Sequence, residues 1–159
     1  MKLKSLELQG FKTFCDKTKI EFEDGISAVV GPNGSGKSNV SDALRWVLGE
    51  QSVKKLRCSK LEDVIFAGSV SKKAQSVASV NLIFDNTDKS INDMDKEISV
   101  LRKYYRNGES EYFINMKSVR LKDVNELFMD TGLGKDGYSI IGQVGIDAII
   151  KAKPGERRE

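Results

Sequence analysis

The sequence predicts a mixed α/β fold, and three observations predict it. A glycine-rich octapeptide, Gly31-Pro32-Asn33-Gly34-Ser35-Gly36-Lys37-Ser38, leads directly into helical periodicity, with Val40, Ala43, Leu44, Val47 and Leu48 on one face. The apolar run Ile26-Ser27-Ala28-Val29-Val30 enters that loop and reads as a buried strand. Two stretches of period-two alternation, before the loop and at 76 to about 120, read as antiparallel meanders packed around the helix. A simple doubly wound domain would instead open with strand, loop and helix at its first residues.

Taken in order, residues 1–9 form a strand with Leu6 and Leu8 on one face and Glu7 and Gln9 on the other. Gly10-Phe11-Lys12-Thr13-Phe14 breaks that alternation, which resumes from Lys17 to Phe22 and ends at the turn Glu23-Asp24-Gly25. Gly49-Glu50-Gln51-Ser52 closes the helix after the loop. The basic segment Lys54-Lys55-Leu56-Arg57-Cys58-Ser59-Lys60 follows, and by itself reads as a solvated loop. Val64-Ile65-Phe66 is too short to assign. Ala78, Val80, Leu82 and Phe84 then alternate with polar residues, and 86–95 is a polar insertion. A strand from Ile98, the turn signal Asn107-Gly108 and the return Glu111 to Asn115 complete the second meander. Its interleaved basic and aromatic residues suit either a nucleic-acid surface or an ordinary two-sided strand. Leu121, Val124, Leu127 and Phe128 fit a short helix ending at Thr131-Gly132. Beyond it come a glycine-rich loop at 132–137, Tyr138 to Gln143, and an apolar run at 146–150.

The octapeptide matches G-x-x-x-x-G-K-[ST], the phosphate-binding loop. Gly31, Gly34 and Gly36 let the backbone turn and approach a phosphate where a Cβ would clash. Successive N–H groups then converge at the helix N-terminus, where the macrodipole adds about half a positive charge. Lys37 is placed to reach the β- and γ-phosphates of a nucleotide, and the Ser38 hydroxyl to ligate Mg²⁺. A turn that held nothing would need neither the lysine nor the hydroxyl.

Composition narrows the alternatives. The 159 residues suit one domain or part of a larger one. No apolar run reaches the length of a membrane span, and no signal-peptide core opens the chain, so a membrane role is not expected and a cytoplasmic location is. Cys15 and Cys58 lack metal spacing and read as reduced thiols or small core residues. The absence of histidine excludes Ser-His-Asp and Cys-His catalysis within this sequence. A net charge of +3 permits DNA contact without requiring it.

Hydrolysis also needs an Asp that orients Mg²⁺ and a group that positions water. Leu82-Ile83-Phe84-Asp85 has the outline of a Walker B strand. Its polar partners Ser79 and Asn81, and Asn86 where a hydrolytic Glu belongs, argue against that role. The rest of the site is therefore expected outside this sequence.

Several segments together resemble one family. Gly10-Phe11-Lys12-Thr13-Phe14, the loop 31–38 with Asn39, Trp46-Val47-Leu48-Gly49-Glu50-Gln51, Phe66-Ala67-Gly68-Ser69, Arg102 to Asn115, Leu127 to Gly134 and Ile140-Ile141-Gly142-Gln143 are similar, in order and spacing, to the N-terminal part of bacterial SMC proteins. These are the chromosome-condensation ATPases of the ABC superfamily, and the resemblance covers residues 1 to about 158.

The resemblance implies an ABC-type P-loop NTPase fold, with residues 1–159 as the N-terminal part of the head and 138–146 as its Q-loop region. It implies ATP and Mg²⁺ as ligands, Gln143 meeting Mg²⁺ and the attacking water, and Arg57 as the R-loop arginine. Lys12 and Thr13 fall where the family contacts the nucleotide near the adenine and α-phosphate. Walker B, the catalytic Glu and the signature motif are implied in a C-terminal lobe beyond a coiled coil and hinge. Two heads would sandwich two ATP molecules, with a kleisin subunit and DNA as further partners, at the nucleoid. Val144-Gly145 depart from the Gly and basic residue usual after the Q-loop glutamine. The stop at Glu159 falls just before the family's coiled coil would begin, as expected of a fragment that does not hydrolyse ATP alone. A non-catalytic interaction module that keeps its loop only as scaffold, and a fragment of another ABC-family ATPase such as a DNA-repair or transporter subunit, are the competing expectations.

Overall fold

Alternation at every second residue turns one face of each long strand inward. Ala78, Val80, Leu82 and Phe84 are buried along β3 (Val77–Asp85), as are Ile98, Val100, Arg102 and Tyr104 along β4 (Glu97–Tyr105). The computed structural model describes residues 1–129. Two strands precede these, β1 (Lys2–Gln9) and β2 (Thr18–Glu21), and two follow, β5 (Ser110–Ile114) and β6 (Lys117–Val119).

All six strands form one antiparallel sheet in the order β2-β1-β3-β4-β5-β6. The two meanders expected from the sequence are thus a single layer, joined where β1 pairs with β3, Leu6 opposite Leu82 and Leu8 opposite Val80. A register shift between Leu3 and Ser5 explains why Ser5, Leu6 and Leu8 are all buried despite strict strand alternation. The tight hairpin between β4 and β5 turns at Asn107-Gly108, where Gly108 adopts φ +91°.

The helix after the phosphate loop, α1 (Lys37–Val47), lies across the inner face against β3 and β4. Val40, Ala43, Trp46 and Val47 are buried against that face. Trp46 also meets Phe11 with ring centroids 5.3 Å apart. Full burial of each large apolar side chain stabilises the fold by about 1.5–3 kcal/mol. The second helix, α2 (Leu121–Met129), covers the other end through Val124 and through Phe128, which packs 5.5 Å from Phe84.

The structure departs from expectation at 26–30. This run forms no strand, and Ile26 and Val30 are 102% and 85% exposed. A buried strand needs ladder partners and a covering layer, and the six strands of the described sheet are paired without it. The rejection of 82–85 as a Walker B strand agrees with the sheet: β3 is paired antiparallel on both sides, and the Asp85 carboxylate accepts the Thr87 N–H at 2.8 Å. The unassigned 64–66 segment begins at the last residue of a short 3₁₀ turn, Leu61–Val64, and is buried.

Candidate functional site

Gly36 is the N-cap of α1, with φ +95° in the left-handed region. A Cβ there would lie 3.0 Å from Thr13 Oγ1 and 3.4 Å from the Phe14 ring, so glycine answers both a conformational and a steric demand. The cap carries no side-chain hydrogen bond, and the first turn of α1 holds no acidic residue. The positive end of the helix is therefore left to an outside anion.

Lys37 folds back over the loop, its Nζ donating to the carbonyls of Gly31 and Pro32 at 2.7 Å each. The ammonium is thus held above the loop mouth. Ser35 N–H closes a turn onto the Pro32 carbonyl at 3.3 Å, while Pro32, Asn33, Gly34 and Ser38 remain exposed. The chemistry fits a bound phosphate: a cation, an uncapped helix terminus, and the Ser38 hydroxyl beside them. Among the described residues no cluster of three or more His, Cys, Asp or Glu side chains forms a metal site of its own.

A second hairpin brings Lys12 and Thr13 to this helix. Phe11 and Phe14 exchange backbone hydrogen bonds of 3.0 and 2.8 Å, and Phe66 N–H donates to the Gly10 carbonyl at 2.8 Å, pinning the hairpin to the buried 64–66 segment. Thr13 Oγ1 accepts from Asn39 Nδ2 at 2.9 Å. Lys12 points the other way. Its Nζ pairs with the Asp42 carboxylate and donates to the Leu56 carbonyl.

The basic segment keeps Lys54, Lys55, Arg57 and Lys60 exposed, as a solvated loop would, and is held by a turn. Leu56 is fully buried, and N–H groups of Leu56, Arg57 and Cys58 donate to Ser52, Lys54 and Val53 carbonyls at 3.0, 3.1 and 2.9 Å. This places the Arg57 guanidinium against Asp42, 2.5 Å from Oδ2 and 3.3 Å from Oδ1, with a longer 3.4 Å contact to Asn39 Oδ1. Burial pushes the Cys58 thiol above its ordinary pKa, opposed by nearby Lys12.

The structure therefore gathers Lys12, Thr13, the loop 31–38, Asn39 and Arg57 around the first turns of one helix, while Gln143 lies outside the described residues. Sequence reasoning missed Asp42, which binds two of these groups. Its signal was an acidic residue interrupting the apolar stripe between Val40 and Ala43. It also missed Arg102, which shares the buried face of β4 with Val100 and Tyr104.

Sheet, helix and loop together define a mixed α/β fold of the P-loop, ABC-ATPase head type. Solved SMC structures superpose on it: one described under ATP-driven dimerisation and DNA-stimulated activation of SMC ATPases has TM-score 0.93 and 36% identity, over 99% of this chain and 96% of that one. The chain belongs to the RecF/RecN/SMC N terminal domain family, whose model matches residues 2–140. The chromosome partition protein Smc of Lactiplantibacillus plantarum is 56% identical over 158 residues, covering 99% of this chain. An SMC head bound to the C-winged helix domain of ScpA matches with TM-score 0.92 and 36% identity, over 97% of this chain and 48% of that one. The chain spans only 13% of the length of the Lactiplantibacillus protein. Among the described residues, no helix is long and apolar enough to cross a membrane.

Proposed function

We propose that this chain supplies the ATP-binding, N-terminal lobe of an SMC-type ATPase head that works in chromosome partition. The observation that carries it is the uncapped N-terminus of α1, framed by Gly36 and roofed by Lys37. Residues 31–38 bind the phosphates, Lys37 and the loop N–H groups hold the β- and γ-phosphates, and Thr13 and Asn39 line the side of the nucleotide. Ser38 and Gln143 hold Mg²⁺, which when bound supplies charge neutralisation on the phosphates. Gln143 also orients the attacking water.

Walker B and the signature motif come from a C-terminal lobe of the same protein and from a second head. The exposed run Ile26 to Val30 supports this, because an apolar segment leading into the loop needs a covering partner. A ScpA-like kleisin, DNA and a cytoplasmic, nucleoid-associated setting are carried over from the relatives. Lys54, Lys55, Arg57 and Lys60 form the basic segment offered to DNA phosphate.

ATP turnover tests the proposal. The full-length protein hydrolyses ATP, Lys37→Ala abolishes it, and residues 1–159 alone show negligible turnover. Full-rate, Lys37-dependent turnover by residues 1–159 alone overturns the split site.

A further inference from the structure

The hydrogen bonds beside the phosphate loop carry a fixed polarity. A guanidinium has N–H donors and no acceptor, so a group that bonds to it must accept. Arg57 Nη2 donates to Asn39 Oδ1 at 3.4 Å, and the amide oxygen of Asn39 therefore faces Arg57. The amide nitrogen is left on the other side, where Nδ2 donates to Thr13 Oγ1 at 2.9 Å. Thr13 thus accepts from Asn39, and its single hydroxyl proton has to point elsewhere.

The backbone decides what that proton can reach. Phe11 and Phe14 exchange N–H bonds of 3.0 and 2.8 Å, which closes the hairpin and holds Thr13 against the cap of α1. A Cβ on Gly36 would lie 3.0 Å from Thr13 Oγ1, so a glycine cap is what lets the hydroxyl approach the helix N-terminus this closely. Thr13 is exposed, and among the described residues its hydroxyl proton meets no acceptor. An anion at the uncapped end of α1 supplies one.

We propose that Asn39 is a positioning residue: by donating to Thr13 Oγ1 it fixes that hydroxyl as a donor to a phosphate oxygen of the nucleotide held on residues 31–38. This rests on the nucleotide-binding function above and adds to it the direction of one proton. Asn39 acts on the nucleotide through Thr13, and an amide suits the place. A carboxylate there could only accept, so it would draw the Thr13 proton to itself and leave oxygen lone pairs facing the phosphate. An apolar side chain would leave the hydroxyl free to rotate, and binding would then have to order it.

The test is a double-mutant cycle on Asn39 and Thr13 in the full-length protein, with Mg·ATP as the probe, equilibrium affinity as the readout and thermal unfolding to confirm that each variant is folded. Thr13→Val keeps the shape and removes the hydroxyl, and is expected to weaken Mg·ATP by about 10- to 100-fold, the range of a hydrogen bond to a charged group. Thr13→Ser keeps the hydroxyl and is expected to recover most of that loss. Asn39→Leu is expected to weaken binding by about 3- to 10-fold, and in combination with Thr13→Val the two losses are expected not to multiply. Asn39→Ala takes its place in the cycle if the leucine variant does not fold. Losses that multiply, no loss for Asn39→Leu, or a Thr13→Ser variant as weak as Thr13→Val overturns the positioning role. Lys37→Ala separates this from the parent proposal: if it leaves Mg·ATP affinity intact, the loop is not the nucleotide site and both fall, whereas a loss for Lys37→Ala beside Asn39 and Thr13 losses that multiply overturns the role of Asn39 alone.

Discussion

The guanidinium of Arg102 donates a 2.7 Å hydrogen bond to the carbonyl of Trp46 while its carbon lies 4.5 Å from the centre of the Trp46 ring system. A second bond of 2.9 Å reaches the Glu50 carbonyl, and Tyr112 closes the other side at 4.9 Å. A cation from the sheet thus caps the C-terminal end of the helix whose N-terminal end forms the phosphate site. Burial pulls its pKa below the ordinary arginine value, opposed by Tyr112, Tyr104 and Glu50.

Arg102→Ala is expected to lower stability by about 3–5 kcal/mol, since it opens a cavity between two rings and takes the side-chain donor from the Glu50 carbonyl, while the Trp46 carbonyl keeps the Gly49 N–H at 3.2 Å. Arg102→Lys loses the forked geometry and costs less, about 1–3 kcal/mol. Urea unfolding midpoints check both. Equal loss for the two substitutions would mean that the guanidinium itself, and not the bulk or charge that lysine keeps, carries the effect.

Much of this was legible beforehand. Alternation over 76–86 predicted β3 and its buried face, and the strand beginning at Ile98 with the turn at Asn107-Gly108 predicted β4 and its return, though not the buried Arg102. Helical spacing after Ser38 predicted α1 but not Trp46, because a large aromatic one position off the stripe is buried only by what packs on it, here Phe11 and Arg102. Ile26 to Val30 reads as a buried strand because hydrophobicity reports a need for burial and says nothing about which partner meets it. Asp42, Lys12 and Arg57 are far apart in sequence and meet only through the turns at 10–15 and 52–58.

Gly36→Ala tests the steric half of the loop. Its Cβ would press on Thr13 Oγ1 at 3.0 Å, whereas one added at Gly108, also in the left-handed region, meets nothing within 4 Å. Both substitutions strain the backbone by about 1 kcal/mol. Mg·ATP affinity is expected to fall at least about tenfold for Gly36→Ala and to stay unchanged for Gly108→Ala. Isothermal titration distinguishes them, and parallel losses contradict the assignment.

Acid should loosen the turn that carries Arg57. Burial raises the Glu50 pKa, but N–H donation from Ser52 at 2.9 Å and Gln51 at 3.1 Å, together with Lys55, outweighs it and brings the group below its ordinary 4.5. A depressed carboxylate contributes stability above its unfolded pKa and loses it as pH falls through the folded one. The stability gap between wild type and Glu50→Gln should therefore be full at pH 7 and shrink below the ordinary 4.5. Denaturant midpoints across that range measure it, and a constant gap contradicts an electrostatic role.

Cys58 should be a slow thiol. Burial raises its pKa, so its thiolate is scarce near neutrality. Alkylation by iodoacetamide at pH 7 should run slower than for an unfolded peptide carrying the same sequence and accelerate on denaturation. Equal rates contradict its half-buried placement against the Leu56 carbonyl.

The most direct measurement is equilibrium binding of Mg·ATP to the full-length protein and to its Lys37→Ala variant. Lys37 is held over the loop by the Gly31 and Pro32 carbonyls at 2.7 Å, so exchanging those bonds for phosphate oxygens should cost little reorganisation. Its loss is expected to weaken binding by about 10- to 100-fold without lowering the unfolding temperature. Unchanged affinity in a folded Lys37→Ala protein would contradict the assignment of this loop as the nucleotide site.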